Sequence, residues 1–155
     1  MKIIPVLNET STKEIRMLFR EYETALGADL SFQNFEDELA AIPENYVPPH
    51  GSLLLAIAEE KAAGCVAMRK KDEYSCEMKR LFVRPSFRSR GIGRLLAQEV
   101  IRCSRQVGYR KMYLDTLISL EGAIALYKSL GFKETEPYYH NPMDGVIYMQ
   151  LDLAK

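Results

Sequence analysis

The sequence predicts a mixed α/β sheet with helices packed on both faces, in the order β-α-α-β-β-β-α-β-α-β-β. Three observations carry that prediction. From Gly51 to Arg84 the chain reads as three short apolar strands joined by tight charged turns, the pattern of antiparallel hairpins. A long amphipathic stretch, Gly91 to Val107, then leads into another strand, YRKMYLDT, and such a β-α-β unit crosses over right-handed with its strands parallel. Finally, 155 residues that are 47% apolar and 27% charged match one ordinary globular domain, here taken as 1–155, able to bury a real core. Antiparallel and parallel pairings in one covered sheet make an α+β, mixed-sheet architecture.

Each element has its own warrant. MKIIPVL is a short edge strand, since Pro5 cannot sit in a central ladder. Ser11 and Thr12 offer N-caps to a first helix with Ile15, Leu18, Phe19 and Tyr22 at helical spacing, and Gly27 ends it. A second helix starts at Ser31, carries Phe32, Phe35, Leu39 and Ile42 on one side, and stops at Pro43. PENYVPPHG is a loop. SLLLAIAEE, AAGCVAMRK and YSCEMKRLFVR are strands that turn at Glu59-Glu60-Lys61 and at Lys70-Lys71-Asp72, so the basic run RKKD is a solvated turn. Pro85 ends the third of them. The helix from Gly91 to Val107 buries Leu95, Leu96, Val100 and Ile101 and stops at Gly108. After YRKMYLDT come the helix LEGAIALYKSLGF, a short strand from Phe132 to Glu134, the loop PYYHNPMDG and a closing strand, VIYMQLDL.

Composition excludes several functions. Lys+Arg and Asp+Glu both number 21, which argues against a dedicated nucleic-acid partner. The longest apolar run, GSLLLAIA, is too short to span a membrane, and the amino terminus meets charge and proline too early for a signal peptide. Cys65, Cys76 and Cys103 have neither C-x-x-C spacing nor a nearby histidine. They read as buried free thiols in a cytoplasmic protein, with no metal site. A homodimer is compatible with all of this.

The segment FRSRGIGRLL concentrates charge and flexibility where a helix begins. A helix start offers unpaired N–H groups and a partial positive charge, glycines let a phosphate reach the backbone, and arginines add charge-assisted hydrogen bonds. It lacks the Gly-Lys-Ser/Thr of a P-loop. It also departs from a dinucleotide fingerprint: Gly91-Ile92-Gly93 is followed by an acid, Asp115, but Leu96 stands in place of the third glycine. The plainer alternative is a helix entry shaped by glycine alone.

The stretch EMKRLFVRPSFRSRGIGRLLAQEVIRCSRQVGYRKMYLDT, followed by AIALYKSLGF, resembles the GCN5-related N-acetyltransferase (GNAT) superfamily. That resemblance is specific over roughly residues 74 to 133. It implies the GNAT acyl-CoA fold, acetyl-CoA as co-substrate and an amine acceptor, on a small molecule or an exposed protein amine. It further implies that the backbone of Arg88, Ser89, Arg90, Gly91, Ile92, Gly93 and Arg94 holds the CoA pyrophosphate. Leu81, Phe82 and Val83 would run beside the pantetheine arm, where two parallel strands splay apart.

Transfer of acetyl from a thioester to an amine needs a neutral amine, a stabilised oxyanion and a protonated leaving thiolate. It needs no enzyme nucleophile. Tyr127, the tyrosine of L-Y-x-x-x-G-F, would by resemblance protonate the thiolate and touch the co-substrate, although its alignment with Ala123 and Leu130 also fits plain core packing. Glu77 stands before Arg88 at the spacing of the catalytic glutamate in histone-acetylating members, and is the candidate base. A solvent-facing glutamate paired with Lys79, or a water chain in its place, is the alternative. Alternation puts Glu77 and Arg80 on opposite faces unless a bulge intervenes; superfamily members often have one there, which would bring Arg80 to the acceptor. Tyr138 and Tyr139, in the loop before the last strand, are further acceptor candidates. Leu120 stands where relatives often carry Asn, so that contact is absent or replaced. His50 and His140 read as surface histidines. A non-catalytic acyl-CoA-binding sensor would need the same glycine loop; Tyr127 and Glu77 favour the enzyme.

Overall fold

The computed structural model describes residues 1–27, Leu30 and 34–154. Its strands are β1 (Lys2–Pro5), β2 (Ser52–Ala58), β3 (Lys61–Lys70), β4 (Ser75–Val83), β5 (Lys111–Leu117), β6 (Lys133–Thr135) and β7 (Val146–Asp152). Its helices are α1 (Glu9–Leu26), α2 (Phe35–Ala41), α3 (Ile92–Val107) and α4 (Glu121–Ser129), with single 3₁₀ turns at Glu44–Tyr46 and Pro85–Phe87. The order along the chain is the expected one. The strands form one sheet, ordered β1-β2-β3-β4-β5-β7-β6. β4 and β5 pair in parallel and the other neighbours are antiparallel.

Two apolar layers sandwich this sheet. On one face Ile92, Leu96, Ala97, Val100 and Ile101 of α3 and Tyr127 of α4 pack against Cys76, Met78, Met112, Leu114 and Met149. On the other, Ile15, Leu18 and Phe19 of α1 and Phe35 and Leu39 of α2 pack against Leu53, Leu55, Cys65, Ala67 and Phe82. Among the described residues no helix is long and apolar enough to cross a membrane.

Local chemistry explains where the elements differ from expectation. α1 is capped by Asn8, not by Ser11 or Thr12: the Asn8 side chain accepts from the Ser11 N–H at 2.8 Å, and Ser11 reciprocates as the other half of a capping box. Gly27 closes that helix in the left-handed region at φ 66°. Of the second helix, Ser31 and Phe32 lie outside the described residues, and α2 begins at Phe35. Leu95 is 42% exposed, and the buried stripe of α3 runs through Ile92, Leu96, Ala97, Val100, Ile101 and Ser104. At about 100° per residue those positions fill one half of the helix circumference, and Leu95 falls on the opposite half. Cys65 and Cys76 are buried free thiols, but Cys103 is partly exposed beside Glu99.

Two features of β4 position the site. Its pairing with β5 covers only Ser75↔Lys111, Cys76↔Met112 and Glu77↔Tyr113; thereafter β4 follows β3 to Val83 while β5 follows β7 to Leu117. The two strands therefore diverge into a V. Inside that V, β4 bulges. Lys79 lies opposite Ala67 and Phe82 opposite Cys65, so Arg80 and Leu81 together face the single residue Val66, and Arg80 takes the left-handed φ of 59°.

Candidate active site

The V opens into a cleft of about 680 Å³. One bank is the end of β4 with the following loop: Leu81, Phe82, Val83, Phe87, Arg88, Ser89, Gly91, Ile92, Gly93 and Arg94. The other is Ser119 to Ala123, Leu126 and Tyr127 at the start of α4, and Tyr22, Ala25 and Leu26 of α1 close one end. Pockets of about 300–1,000 Å³ suit a cofactor-sized ligand.

The loop has the features of an anion cradle. Gly91 is the N-cap of α3 at φ 77°, where a side chain would be strained, and it brings no side-chain acceptor to the first-turn N–H groups. A Cβ at Gly93 would sit 3.7 Å from Val83 Cγ2 and 3.7 Å from Leu126 Cδ2, both side chains of the cleft wall. Arg88 donates from Nε to the Val83 carbonyl at 3.0 Å, and Arg94 donates to Ser129 Oγ at 2.8 Å; both line the cleft. Arg90 alone among the singled-out loop residues turns away. It pairs with Glu59 at 3.0 Å and lies over the Phe87 ring.

Behind the cleft, on the α1–α2 side of the sheet, lies a smaller cavity of about 70 Å³. Lys79 and Arg80 of β4, Asp115 of β5, Asn141 and Met143 of the last loop, and Tyr22 and Leu26 of α1 line it. Tyr127 lines both the cleft and the cavity, and so does Leu120. Burial pushes the Tyr127 phenol well above its ordinary pKa, so it keeps its proton at neutral pH. Its ring packs edge-on against Phe132 at 5.7 Å.

The bulge turns Arg80 to the α1–α2 side of the sheet, where its guanidinium forks onto Glu38 of α2 at 2.7 and 3.2 Å. Tyr46 donates to the same carboxylate at 2.7 Å. Glu77 is 3% exposed and is held by Arg69 across the β3–β4 pair at 2.9 Å and by the Tyr138 hydroxyl at 2.7 Å. Its partner is thus Arg69, not Lys79, and among the described residues it lines neither the cleft nor the inner cavity. Tyr139 donates to Asp115, which also accepts from Asn141 at 2.8 Å. Tyr138 and Tyr139 face an outer groove with His140 and Tyr148; Tyr139 borders the inner cavity through its bonds with Asp115 and Asn141, whereas Tyr138 holds Glu77, which does not line it. Both histidines are exposed.

The sequence singles out the aromatic and amide groups of PYYHNPM, and so Asn141, but not Lys79, Met143 or Glu38, and it offers Asp115 only as a mimic of a nucleotide-binding acid. Alternation with Glu77 was the available signal for Lys79. The others come from separate elements that only the fold brings together. Among the described residues no cluster of three or more His, Cys, Asp or Glu could hold a metal.

A mixed sheet split between two parallel strands, with a glycine-capped helix at the mouth, is an acyl-CoA transferase architecture, and comparison with known proteins agrees. The profile of the acetyltransferase (GNAT) family matches residues 12–132. An uncharacterised N-acetyltransferase of Schizosaccharomyces pombe is 50% identical over 144 residues, 92% of this chain and 88% of that one. Among solved structures, a GNAT-family acetyltransferase from Staphylococcus aureus superposes with a TM-score of 0.82 at 22% identity, covering 98% of both chains. A Bacillus subtilis acetyltransferase in complex with CoA gives 0.70 at 21% identity, covering 97% of both. The chain belongs to the GNAT family of acetyltransferases.

Proposed function

We propose that this protein transfers the acetyl group of acetyl-CoA to a primary amine, on a small molecule or a protein, by direct attack of the amine. The observation that carries the reading is Tyr127, which faces both the cleft and the inner cavity and so stands where donor and acceptor would meet. The residues fit such a co-substrate. The uncapped first turn of α3 and the side chains of Arg88 and Arg94 would hold a pyrophosphate, and the diverging β4 edge from Leu81 to Val83 would accompany an extended arm. When bound, acetyl-CoA supplies an acetyl thioester as acyl donor.

The chain's own residues do the rest. Tyr127 holds a phenolic proton, kept there by burial, and gives it to the departing sulfur. Glu77 takes the proton lost by the amine, and does so through water or a hydroxyl, since it stands back from the cavity behind Tyr138. α1 and the last loop, through Leu26, Asn141 and Met143, wall the reaction off from bulk water.

Calorimetric titration with acetyl-CoA, followed by an amine panel read by CoA thiol release, tests this. Saturable binding and amine-dependent thiol release are expected. Binding of NAD in preference to acetyl-CoA, or acetyl-CoA binding with no transfer to any amine, would refute it.

A further inference from the structure

Lys79 is 8% exposed and lines the inner cavity, yet its ammonium makes no hydrogen bond or ion pair with any described residue. The charged groups around it come from several elements, and each acid is already held by another donor. Glu77, on the same strand, is bonded by Arg69 and Tyr138. Asp115, on the facing strand, is bonded by Tyr139 and Asn141. Glu38, on α2, is bonded by Arg80 and Tyr46. Arg69 and Arg80 add like charge nearby. The lysine lines the cavity with no acceptor for its ammonium among the described residues.

A buried ammonium without a partner is unfavourable, and here burial lowers its pKa to about 8. A ligand anion would reverse that penalty. The rest of the cavity restricts what the ligand can be. Tyr22, Leu26, Leu117 and Met143 give it apolar walls. Its 70 Å³ holds about five to seven waters at roughly 10–15 Å³ each, enough for a compact head group. Tyr127 lies on the same cavity, so an amine joined to that anion by a short skeleton would reach the transfer point.

We propose that the acetyl acceptor is an amino carboxylate, an amino-acid-like small molecule whose carboxylate pairs with Lys79 while its amine faces Tyr127. This rests on the acetyltransfer proposed above, and it selects the small-molecule class of acceptor over a protein amine. The lysine acts as a binding residue and takes no part in proton transfer.

The test uses products, which need no turnover. N-acetylated amino acids and their carboxamides are titrated against the CoA-loaded protein by calorimetry or NMR. The acids should bind at least tenfold more tightly than the matching amides at pH 7. The preference should fade as pH rises above about 8, where Lys79 loses its proton. Lys79→Met should abolish the preference while leaving acetyl-CoA affinity unchanged. It should not lower the melting temperature, because no partner is orphaned. Equal binding of acids and amides, binding of neither, or a preference that survives in Lys79→Met would each overturn the assignment. Transfer to simple alkylamines at the same efficiency as to amino acids would overturn it and leave the acetyltransferase reading standing. Failure of the free protein to bind acetyl-CoA would instead count against that earlier reading, so the two can fail separately.

Discussion

Replacing Gly93 by alanine should move stability and co-substrate binding in opposite directions. The new methyl would meet Val83 Cγ2 and Leu126 Cδ2 at 3.7 Å each, ordinary contact distances, so nothing in the free protein must shift. Gly93 is helical and outside the left-handed region. Alanine there removes backbone entropy from the unfolded chain, worth up to about 0.5–1 kcal/mol in a helix interior and less in a first turn. For a chain of this size the melting temperature should hold or rise, by no more than about 2–4 °C. Binding should respond differently. An anion pushed back by about 0.6 Å turns an N–H···O contact of ~2.9 Å into one of ~3.5 Å, which is barely a hydrogen bond. Hydrogen bonds to charged groups contribute about 1.5–3 kcal/mol, so losing one weakens acetyl-CoA by about tenfold to a hundredfold. Calorimetry with acetyl-CoA and ligand-free thermal melts measure the two effects. Gly91→Ala is the contrasting control: at φ 77° it meets no neighbour but takes a strained backbone, so it should lower the melting temperature. An unchanged affinity in Gly93→Ala would refute the cradle. A joint loss of stability and affinity would show that the glycine is needed for folding and not for approach.

Three further outcomes follow from the same geometry. Tyr127→Phe keeps the edge-on contact with Phe132 and removes the hydroxyl, so turnover should fall about 10²- to 10⁴-fold with acetyl-CoA affinity and melting temperature unchanged; parental turnover would reassign the acid. Gly64→Ala would place a Cβ 2.6 Å from the Phe82 carbonyl oxygen beside the bulge, and should cost about 1–3 kcal/mol in denaturant unfolding. Burial raises the Glu38 carboxyl pKa, but the bonds from Arg80 and Tyr46 and the Arg80 charge more than reverse this, leaving it below the ordinary value. Its stabilisation is therefore complete above the unfolded carboxylate pKa of about 4.3 and drains away as pH falls through the lower folded value. Glu38→Gln should flatten that acid limb and cost about 3–5 kcal/mol at pH 7, with Arg80 left unpaired; a variant with the parent's pH profile would contradict the reasoning.

The fold was legible in the sequence because its signals are local. Alternation in SLLLAIA and AAGCVAMRK, helical recurrence in GIGRLLAQEVI, and glycine at both ends of α3 report strand, helix and boundary within a few residues. The glycine-arginine loop at the start of α3, proposed as an anion cradle, was legible for the same reason, since its parts are consecutive. Even so, spacing could not foresee that Arg90 turns to Glu59 on the β2–β3 turn. The inner cavity was not legible. Lys79, Asp115, Tyr22, Tyr127 and Asn141 come from two strands, two helices and a loop, and although L-Y-x-x-x-G-F marks Tyr127, nothing local marks Lys79, Asp115 or Tyr22 as its neighbours in space.

A single residue of offset in β4 ties these parts together. Cys76 and Met78 belong to the core on the α3 side, so plain alternation would send Arg80 and Phe82 there too. Phe82 lies instead in the core under α1 and α2, and Leu81 and Val83 pack on the α3 side, because the bulge at Arg80 inverts the faces. Lys79 and Arg80 consequently enter the cavity together, although an unbroken strand would keep them on opposite sides of the sheet. The departure of β4 from β5 beyond Glu77 opens the gap through which Tyr127, on the α3 side, meets that cavity. Glycine at position 64 lets the bulged strand come within 2.6 Å of where a Cβ would stand. An inversion of side-chain facing, a gap in the ladder and a close backbone approach are all needed, and each depends on which strand lies alongside which. For that reason the sequence pointed to the glycine-arginine loop proposed to hold the co-substrate, while the cavity proposed for the acceptor emerged only from the fold.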